Sequence, residues 1–296
     1  MLKKQKQLLE SILGGDYKSL ARALTIVENE LTDSEAILKS LKIKDTPVIG
    51  ITGPPGAGKS TLLNAIIEQL SKKNKIAVLA IDPTSPFNMG SLLGDRIRMS
   101  NQFNNPNVFI RSLATRGSLG GLSVKTIELV DVLKAADFDY IFVETVGVGQ
   151  SEIEIVGLAD LTIVVLVPES GDEIQSIKSG LMEIADIFVI NKADREGADT
   201  FSNHLKKLMN QQHEKIPVLK TIAQKSVGVE ALILKITKVA VNQNEKKTYL
   251  LTEKAWHLIQ NDRMKGVKKE KLRQEITEAL KTDFNLYSFI EKFKRS

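Results

Sequence analysis

The chain has 296 residues, of which 42% are hydrophobic and 26% are charged, a composition typical of a globular protein with a substantial core. It contains no cysteine, which excludes disulfides and thiolate metal sites, and its three histidines are dispersed, so any metal site is expected to use oxygen ligands. The net charge is +5, and residues 242–296 carry the whole excess, with 13 Lys and Arg against 8 Asp and Glu.

Residues 1–43 are predicted to form a helical extension. Apolar residues from Leu20 to Leu31 recur at the spacing of one helix face, and Asp16 lies where a helix cap is expected. The amino terminus does not have the pattern of a secretion signal, because Glu10 interrupts a short apolar stretch. No apolar run reaches the length of about 18 residues that spans a membrane. We therefore expect a soluble, cytoplasmic protein that does not insert into membranes.

Residues 44–241 repeat one theme, in which a short run rich in valine and isoleucine leads through polar or glycine-rich residues into a helical stretch. Runs that are apolar on both faces are typical of parallel strands covered by helices on both sides. The sequence therefore predicts an α/β domain with a mainly parallel sheet. The predicted strands are 47–52, 75–82, 107–113, 140–145, 161–168, 186–191 and 217–223.

The first predicted strand runs into GPPGAGKST, a phosphate-binding loop that begins at Gly53 and opens a helix. Glycines in such a loop let backbone N–H groups turn towards phosphate oxygens. Lys59 is predicted to neutralise the β- and γ-phosphates, Ser60 to ligate magnesium, and Thr61 to reach the α-phosphate. The predicted nucleotide contacts of this loop are Pro55, Gly56, Ala57, Gly58, Lys59, Ser60 and Thr61.

Three carboxylates lie where they would complete a magnesium site with Ser60. Asp82 ends the second predicted strand, Asp95 lies in the loop GSLLGDR, and Glu144 ends the fourth strand in VETVGVG. A lone aspartate at a strand end is often a turn or cap residue, so Asp82 and Asp95 keep that alternative. Glu144 occupies the position at which P-loop enzymes carry an acidic residue after an apolar strand, and Gly147 would offer an N–H to the γ-phosphate.

The sixth predicted strand ends in NKAD, which predicts that the bound base is guanine. The carboxylate of Asp194 would accept hydrogen bonds from N1–H and the 2-amino group of guanine, and adenine offers neither donor there. Lys192 would lie along the base, and Asn191 would tie this loop to the phosphate loop. The two motifs together predict a P-loop NTPase G domain with helical extensions, which binds GTP with Mg²⁺ and hydrolyses it to GDP and phosphate.

The segment 242–296 is predicted to be a polar link, at 242–245, followed by a helical arm. Leu272, Ile276 and Leu280 mark one apolar face, and acidic residues are interleaved with the lysines. A packing or dimerisation arm is the favoured interpretation, and a solvated helix and a polyanion-binding site are the alternatives. Nucleic acid is not the expected partner.

The chain resembles the MeaB/ArgK family of P-loop GTPases, whose human member is the methylmalonic aciduria type A protein. The resemblance covers almost the whole chain and rests on GPPGAGKST and NKAD together with longer segments. These segments are GDYKSLARALTIVEN (15–29), DPTSPFNMGSLLGDRIRM (82–99), TRGSLGG (115–121), ETVGVGQSE (144–152) and PESGDEIQSIKSGLMEIADIFVINKAD (168–194).

The resemblance implies a homodimeric chaperone for an adenosylcobalamin-dependent acyl-CoA mutase, usually methylmalonyl-CoA mutase. GTP turnover would gate cofactor loading and protect the mutase. The resemblance also implies backbone contacts to the base around Ala223, and a third mobile switch at 168–178 in which Lys178 becomes competent when the partner binds. The predicted catalytic residues are Lys59, Glu144 and Lys178.

Two departures from the family pattern bear on the predicted mechanism. The base-contact segment reads TIAQKSVG where many relatives carry other residues, and Val148 stands where Ras-like enzymes have the glutamine that orients water. We therefore predict slow intrinsic hydrolysis that a partner accelerates, with Gln150 as a reserve candidate for positioning water. The alternatives are a nickel or cobalt metallochaperone GTPase, a kinase that transfers the γ-phosphate to an acceptor, and a binding-only switch.

Overall fold

The computed structural model divides the chain into two compact units, Met1–Lys254 and Ala255–Ser296. The first unit holds all the strands that the structure describes, together with eight described α-helices and the start of a ninth. The residues that the structure describes are 2–82, 99–114, 124–145, 155–169, 181–210, 216–239, 247–264, 266–281, 284–291 and 293.

A seven-stranded sheet forms the centre of the first unit. Its strands are β1 (Val48–Thr52), β2 (Ile76–Asp82), β3 (Val108–Ala114), β4 (Tyr140–Glu144), β5 (Leu161–Leu166), β6 (Ile187–Ile190) and β7 (Val218–Lys220). They lie in the order β3-β2-β4-β1-β5-β6-β7, and every neighbouring pair is parallel. Each predicted apolar run overlaps one of these strands, so the predicted α/β fold with a parallel sheet is confirmed.

Helices cover both faces of this sheet. The helices are α1 (Leu2–Leu13), α2 (Tyr17–Glu28), α3 (Ser34–Ser40), α4 (Lys59–Leu70), α5 (Val124–Lys134), α6 (Leu181–Ile184), α7 (Ala198–Asn210), α8 (Val229–Val239) and α9 (Lys247–Met264), which continues into the second unit. On one face lie α1 to α3, α5 and α7, and on the other lie α4 and α8.

Successive residues of the central strands pack into different helix layers, because side chains alternate between the faces of a strand. In β4, Val143 joins the core formed with α1, α2 and α5, whereas Phe142 joins the core formed with α4 and α8. The predicted cap is confirmed: Asp16 accepts the N–H groups of Lys18 and Ser19 at 3.2 and 3.0 Å and begins α2. The amino-terminal helices thus share a hydrophobic core with the sheet.

The carboxyl ends of β1, β4 and β5 meet at the centre of the sheet. Ile51 of β1 pairs with Glu144 of β4 on one side and with Ile163 of β5 on the other. The chain leaves β1 towards β2 on one side, and it later crosses from β4 to β5 on the other side. Ligands of open parallel sheets bind in the crevice that such a reversal creates. The topology therefore places a binding site just beyond Thr52 and Glu144.

The second unit contains the end of α9 with α10 (Lys269–Ala279) and α11 (Leu286–Glu291). Leu272 and Ile276 of the predicted apolar face are half-buried on α10, and Leu280, just after this helix, is 62% exposed. The predicted link at 242–245 lies outside the described residues. Among the helices that the structure describes, none has the length and apolar character needed to cross a membrane.

Candidate nucleotide-binding site

The loop between β1 and α4 requires glycine at two positions. Gly53 has a φ of +134°, and a Cβ there would lie 2.1 Å from the carbonyl oxygen of Val165. Gly58 has a φ of +86°, and a Cβ there would lie 2.5 Å from Nδ2 of Asn191. Backbone with positive φ is unfavourable for residues that carry a side chain. These glycines therefore let the loop pack closely against β5 and against the segment after β6.

The loop delivers the chain to the amino end of α4, which begins at Lys59 with Gly58 as its N-cap. A helix has no intrahelical acceptors for its first N–H groups, and its dipole makes this end favourable for a phosphate group. Ser60 and Thr61 lie in this first turn, and the side chains of Lys59 and Ser60 are buried. The structure thus brings the predicted phosphate contacts together at one helix end.

The Lys59 ammonium lies over the loop that it follows. Its Nζ donates hydrogen bonds to the carbonyl oxygens of Gly53 at 2.7 Å and Pro54 at 3.1 Å. An ammonium group has three rotatable donors on a flexible stem, so it can exchange a carbonyl acceptor for a phosphate oxygen. The loop thus holds the positive charge of Lys59 close to the amino end of α4.

Ser60 and Glu144 join α4 to the end of β4. The Ser60 hydroxyl donates a 2.6 Å hydrogen bond to Oε1 of Glu144, and both residues are buried. Hydroxyl and carboxylate oxygens are ligands that Mg²⁺ prefers, and Mg²⁺ in nucleotide sites keeps several waters while using few protein ligands. The pair therefore fits a magnesium ion, although the described residues contain no group of three His, Asp or Glu side chains suited to a metal.

Asn191 ties three loops together from a buried position. Its Nδ2 donates to the carbonyl oxygen of Ala57 at 3.0 Å, and a longer contact of 3.5 Å reaches Gly58. Its Oδ1 accepts from the Thr221 hydroxyl and from the Ala223 N–H, both at 3.1 Å. The phosphate loop, the NKAD segment and the TIAQ segment are thus fixed to one another by a single amide.

The remaining residues of NKAD lie beside the phosphate loop and open to solvent. Lys192 has a φ of +54° and donates from Nζ to the Gly56 carbonyl oxygen at 2.8 Å. The Asp194 side chain is 43% exposed, so its carboxylate is accessible to a base. Lys225 Nζ lies 3.4 Å from Oδ2 of Asp194. A carboxylate has about four acceptor sites, so this ion pair leaves room for two donors from guanine.

Some predicted site residues cannot be placed. Asp95, Lys178, Gly147, Val148 and Gln150 lie outside the described residues. The backbone of Asp82 ends β2 at the same edge of the sheet as Glu144, but its side chain is not among those described. Their predicted roles at the magnesium ion, the γ-phosphate and the attacking water stay predictions.

The chain matches the family model described as "Methylmalonyl Co-A mutase-associated GTPase MeaB" over residues 20–281. It is also 46% identical over 286 residues to a protein of Pyrococcus abyssi whose name describes it as a GTPase, a match that covers 93% of this chain and 82% of that one. The chain belongs to the MeaB family. The predicted resemblance and the predicted P-loop GTPase activity are therefore confirmed.

Two further relatives differ in how much of their own length matches this MeaB chain. GTPase ArgK of Escherichia coli is 43% identical over 187 residues, which cover 61% of this chain and 56% of that protein. A protein of Cupriavidus metallidurans named fused isobutyryl-CoA mutase is 42% identical over 197 residues, which cover 64% of this chain and only 18% of that protein. A MeaB-like segment is thus part of a much longer chain in that relative.

Solved structures agree with the MeaB fold. A structure described as LAO/AO transport system kinase superposes with a TM-score of 0.70 at 23% identity, covering 99% of this chain and 97% of that one. HypB from Helicobacter pylori, in complex with nickel, superposes with a TM-score of 0.52 at 17% identity over 75% of this chain and 95% of that one. At these identities the likeness concerns the fold alone.

Several residues around this MeaB site were not predicted from the sequence. Thr221 and Lys225 reach Asn191 and Asp194 from the segment after β7. Arg195 pairs with Glu169, whose pKa is held below its ordinary value chiefly by that hydrogen bond. The sequence offered one indication of these residues: each follows a predicted parallel strand, at the edge of the sheet where ligands bind.

Proposed function

We propose that this protein is a magnesium-dependent GTPase that acts as a chaperone for an adenosylcobalamin-dependent acyl-CoA mutase. Methylmalonyl-CoA mutase is the proposed client, and GTP turnover is proposed to gate cofactor loading and to protect the loaded enzyme. The fused isobutyryl-CoA mutase relative carries this proposal, because it joins a MeaB-like segment and a mutase in one polypeptide. The description of the matched family names the same kind of association. GTP and acyl-CoA thioesters are intracellular metabolites, so we place this function in the cytoplasm.

The proposed roles of the site residues follow from their positions. The amino end of α4 and Lys59 would bind the phosphates, and Asp194 would select guanine through its two donors. Ser60 and Glu144 would hold the magnesium ion, with Asp82 and Asp95 as further predicted ligands. A bound magnesium ion would supply neutralisation of the charge that develops on the phosphates. Each residue thus either orients the nucleotide or balances its charge.

We further propose that hydrolysis is slow until the client binds. The reason is chemical, since Val148 has no group that could orient a water molecule. Lys178 is the proposed residue that becomes competent in the presence of the client, and Gln150 is the reserve candidate for the water. Lys178→Ala should then leave the slow intrinsic rate within about twofold and abolish the acceleration by a mutase, since a residue that acts only in the complex contributes nothing before it forms.

A homodimer formed through the arm 242–296 is also part of this proposal. Large apolar side chains of the second unit lie open to solvent, including Trp256 (59% exposed), Ile259 (50%) and Tyr287 (76%). Exposed apolar patches of this kind are typical of interfaces. Trp256→Glu combined with Ile259→Glu should convert a dimer to a monomer in analytical ultracentrifugation. Persistence of the dimer would assign the interface to another surface.

Association with the client is tested by a pull-down in two nucleotide states. Purified acyl-CoA mutases are offered to the immobilised protein with GDP or with a non-hydrolysable GTP analogue. Retention of one mutase in a nucleotide-dependent manner is expected. Asp194→Asn protein with the same nucleotides serves as the matched control, because it should lose guanine binding and with it the nucleotide dependence. Failure to retain any mutase in both states would contradict the chaperone proposal while leaving the GTPase assignment intact.

The kinase alternative is tested by identifying the acceptor of the γ-phosphate, and the metallochaperone alternative is tested by measuring nickel binding. Labelled GTP should release its γ-phosphate to water, and label on a protein or small acceptor would favour a kinase. A nickel or cobalt metallochaperone usually uses cysteine and histidine, and this chain contains no cysteine. Stoichiometric nickel binding in the absence of nucleotide would favour that alternative.

A further inference from the structure

Two buried threonines join the strands that lead into the site. Thr52 is the last residue of β1, and Thr145 follows the last residue of β4. Their hydroxyl oxygens lie 3.0 Å apart, with Thr145 donating to Thr52, and they are 2% (Thr145) and 0% (Thr52) exposed. The Thr145 N–H also donates to the Ile51 carbonyl oxygen at 3.0 Å. This bond extends the backbone hydrogen bonding between the two strands one residue beyond β4.

Each threonine is next to a residue of the nucleotide site. Thr52 precedes Gly53, the first residue of the phosphate loop, and Thr145 follows Glu144. Side chains alternate along a strand, so Thr145 lies on the face of Val143 and not on the face of Glu144. The hydroxyl pair is therefore behind the site and does not reach a nucleotide on the side of α4.

On the opposite face of the sheet, Ser60 and Glu144 join the helix that follows the phosphate loop to the end of β4. That hydrogen bond runs from the start of α4 to the end of β4 at 2.6 Å. In addition to the backbone ladder between β1 and β4, one polar side-chain contact on each face of the sheet links the phosphate-loop region to the end of β4. Both contacts are buried, so losing either leaves a polar group without water to replace its partner.

We infer that Thr145 and Thr52 are positioning residues that set the distance between the phosphate loop and Glu144. This inference rests on the magnesium-dependent GTP binding in the proposed function. In the proposed function, the β-phosphate of either nucleotide would be bound by the phosphate loop, which Asn191 also anchors through the Ala57 carbonyl oxygen on the side away from β4. The end of β4 serves the metal and the γ-phosphate. Loss of the hydroxyl pair should therefore weaken binding of the triphosphate with Mg²⁺ and spare binding of the diphosphate.

The test compares Thr145→Val, which keeps the side-chain shape, with Thr145→Ser, which keeps the hydroxyl. Affinities for GDP and for a non-hydrolysable GTP analogue with Mg²⁺ are measured by calorimetry, and Tm is recorded for each variant. Thr145→Val is expected to weaken the triphosphate analogue about fivefold, as for one lost buried hydrogen bond, and GDP by less than about twofold. Thr145→Ser should restore both affinities to within about twofold of the parent protein.

The control is Thr46→Val, at the opposite ends of the same two strands. Thr46 is also buried, and its hydroxyl donates to the Phe138 carbonyl oxygen at 3.3 Å. Thr46→Val should lower Tm as Thr145→Val does, but it should leave the affinities for GDP and for the GTP analogue unchanged. Thr52→Val is a second variant, in which Thr145 keeps the Ile51 carbonyl oxygen at 3.5 Å, and it should show the same selective loss in milder form.

Equal weakening of both nucleotides by Thr145→Val, or behaviour matching Thr46→Val, would overturn the inference. If Thr145→Val does not fold, the same criteria apply to Thr52→Val. Measurements on the parent protein distinguish failure of this inference from failure of the proposed function. A parent that binds the triphosphate analogue without any dependence on Mg²⁺ would contradict the proposed magnesium chemistry itself. No measurement in the series requires the mutase, so the identity of the client does not affect the result.

Discussion

Replacing Asn191 by alanine should damage stability and nucleotide affinity together. The substitution removes three hydrogen bonds of 3.0 to 3.1 Å, to Ala57, Thr221 and Ala223. At a net value of about 1 kcal/mol each, the free energy of unfolding should fall by about 3 kcal/mol. For a chain of this size that corresponds to a decrease in Tm of about 6–12 °C.

The affinity for GDP should fall because Asn191 holds the phosphate loop and the base loop in place before the nucleotide binds. Without this amide the loops would have to be ordered by the nucleotide itself, and that cost is subtracted from the binding free energy. A cost of about 1.4 kcal/mol corresponds to a tenfold weaker Kd, and we expect at least that change. Calorimetric titration with GDP, well below the reduced Tm, measures it.

Asn105→Ala provides the matched control. Asn105 donates to Ser71 at 3.0 Å and to Gln102 at 3.3 Å and accepts from Asn107 at 3.0 Å, in the turn before β3 and away from the phosphate loop. This variant should lose a similar amount of stability and keep the parent affinity for GDP. If Asn191→Ala destabilises the protein equally and also keeps the parent affinity, the argument that Asn191 organises the site is refuted.

Three further predictions test separate parts of the structure. Gly58→Ala should weaken GDP binding more than Gly56→Ala, because both positions have positive φ but only a Cβ at Gly58 meets Asn191; parallel titrations compare them. Asp194→Asn should weaken GDP by about 100-fold or more and improve binding of xanthosine diphosphate, whose 2-carbonyl accepts from the new amide; competition binding measures the switch. Burial lowers the pKa of Lys134 below its ordinary value of 10.5, so the folded protein releases this proton at a lower pH than the unfolded chain does. The free energy of unfolding should therefore increase as the pH rises from the lowered pKa towards 10.5. Denaturant titrations should show that this gain is smaller in Lys134→Met.

The sequence was sufficient for the parallel sheet and the nucleotide motifs because each depends on local patterns. Every apolar run became a strand, and the phosphate loop and NKAD lie at strand ends as their spacing predicts. Strand limits were less well predicted. The run 217–223 yields only Val218–Lys220, because the chain then leaves the sheet for a tight turn closed by a bridge between Ile222 and Val227.

Contacts between segments distant in sequence could not be predicted in the same way. The Thr52–Thr145 pair joins residues 93 positions apart, and it exists only because β1 and β4 are neighbours in the sheet. The meeting of Asn191 with Thr221 likewise depends on the pairing of β6 with β7. The sequence motifs assigned no individual role to Thr52, Thr145 or Thr221, so these roles emerge from topology and burial together.

The central claim, that GTP turnover reports to a mutase, is tested most directly by single-turnover hydrolysis of labelled GTP. The isolated protein is measured alone and then with a saturating acyl-CoA mutase, and Asp194→Asn protein is the control for nucleotide-specific turnover. We predict slow release of phosphate by the protein alone and at least about a tenfold acceleration by its client, since a partner that supplies a missing transition-state contact has an effect of that order or larger. Rapid hydrolysis by the isolated protein, unchanged by any mutase, would contradict the account.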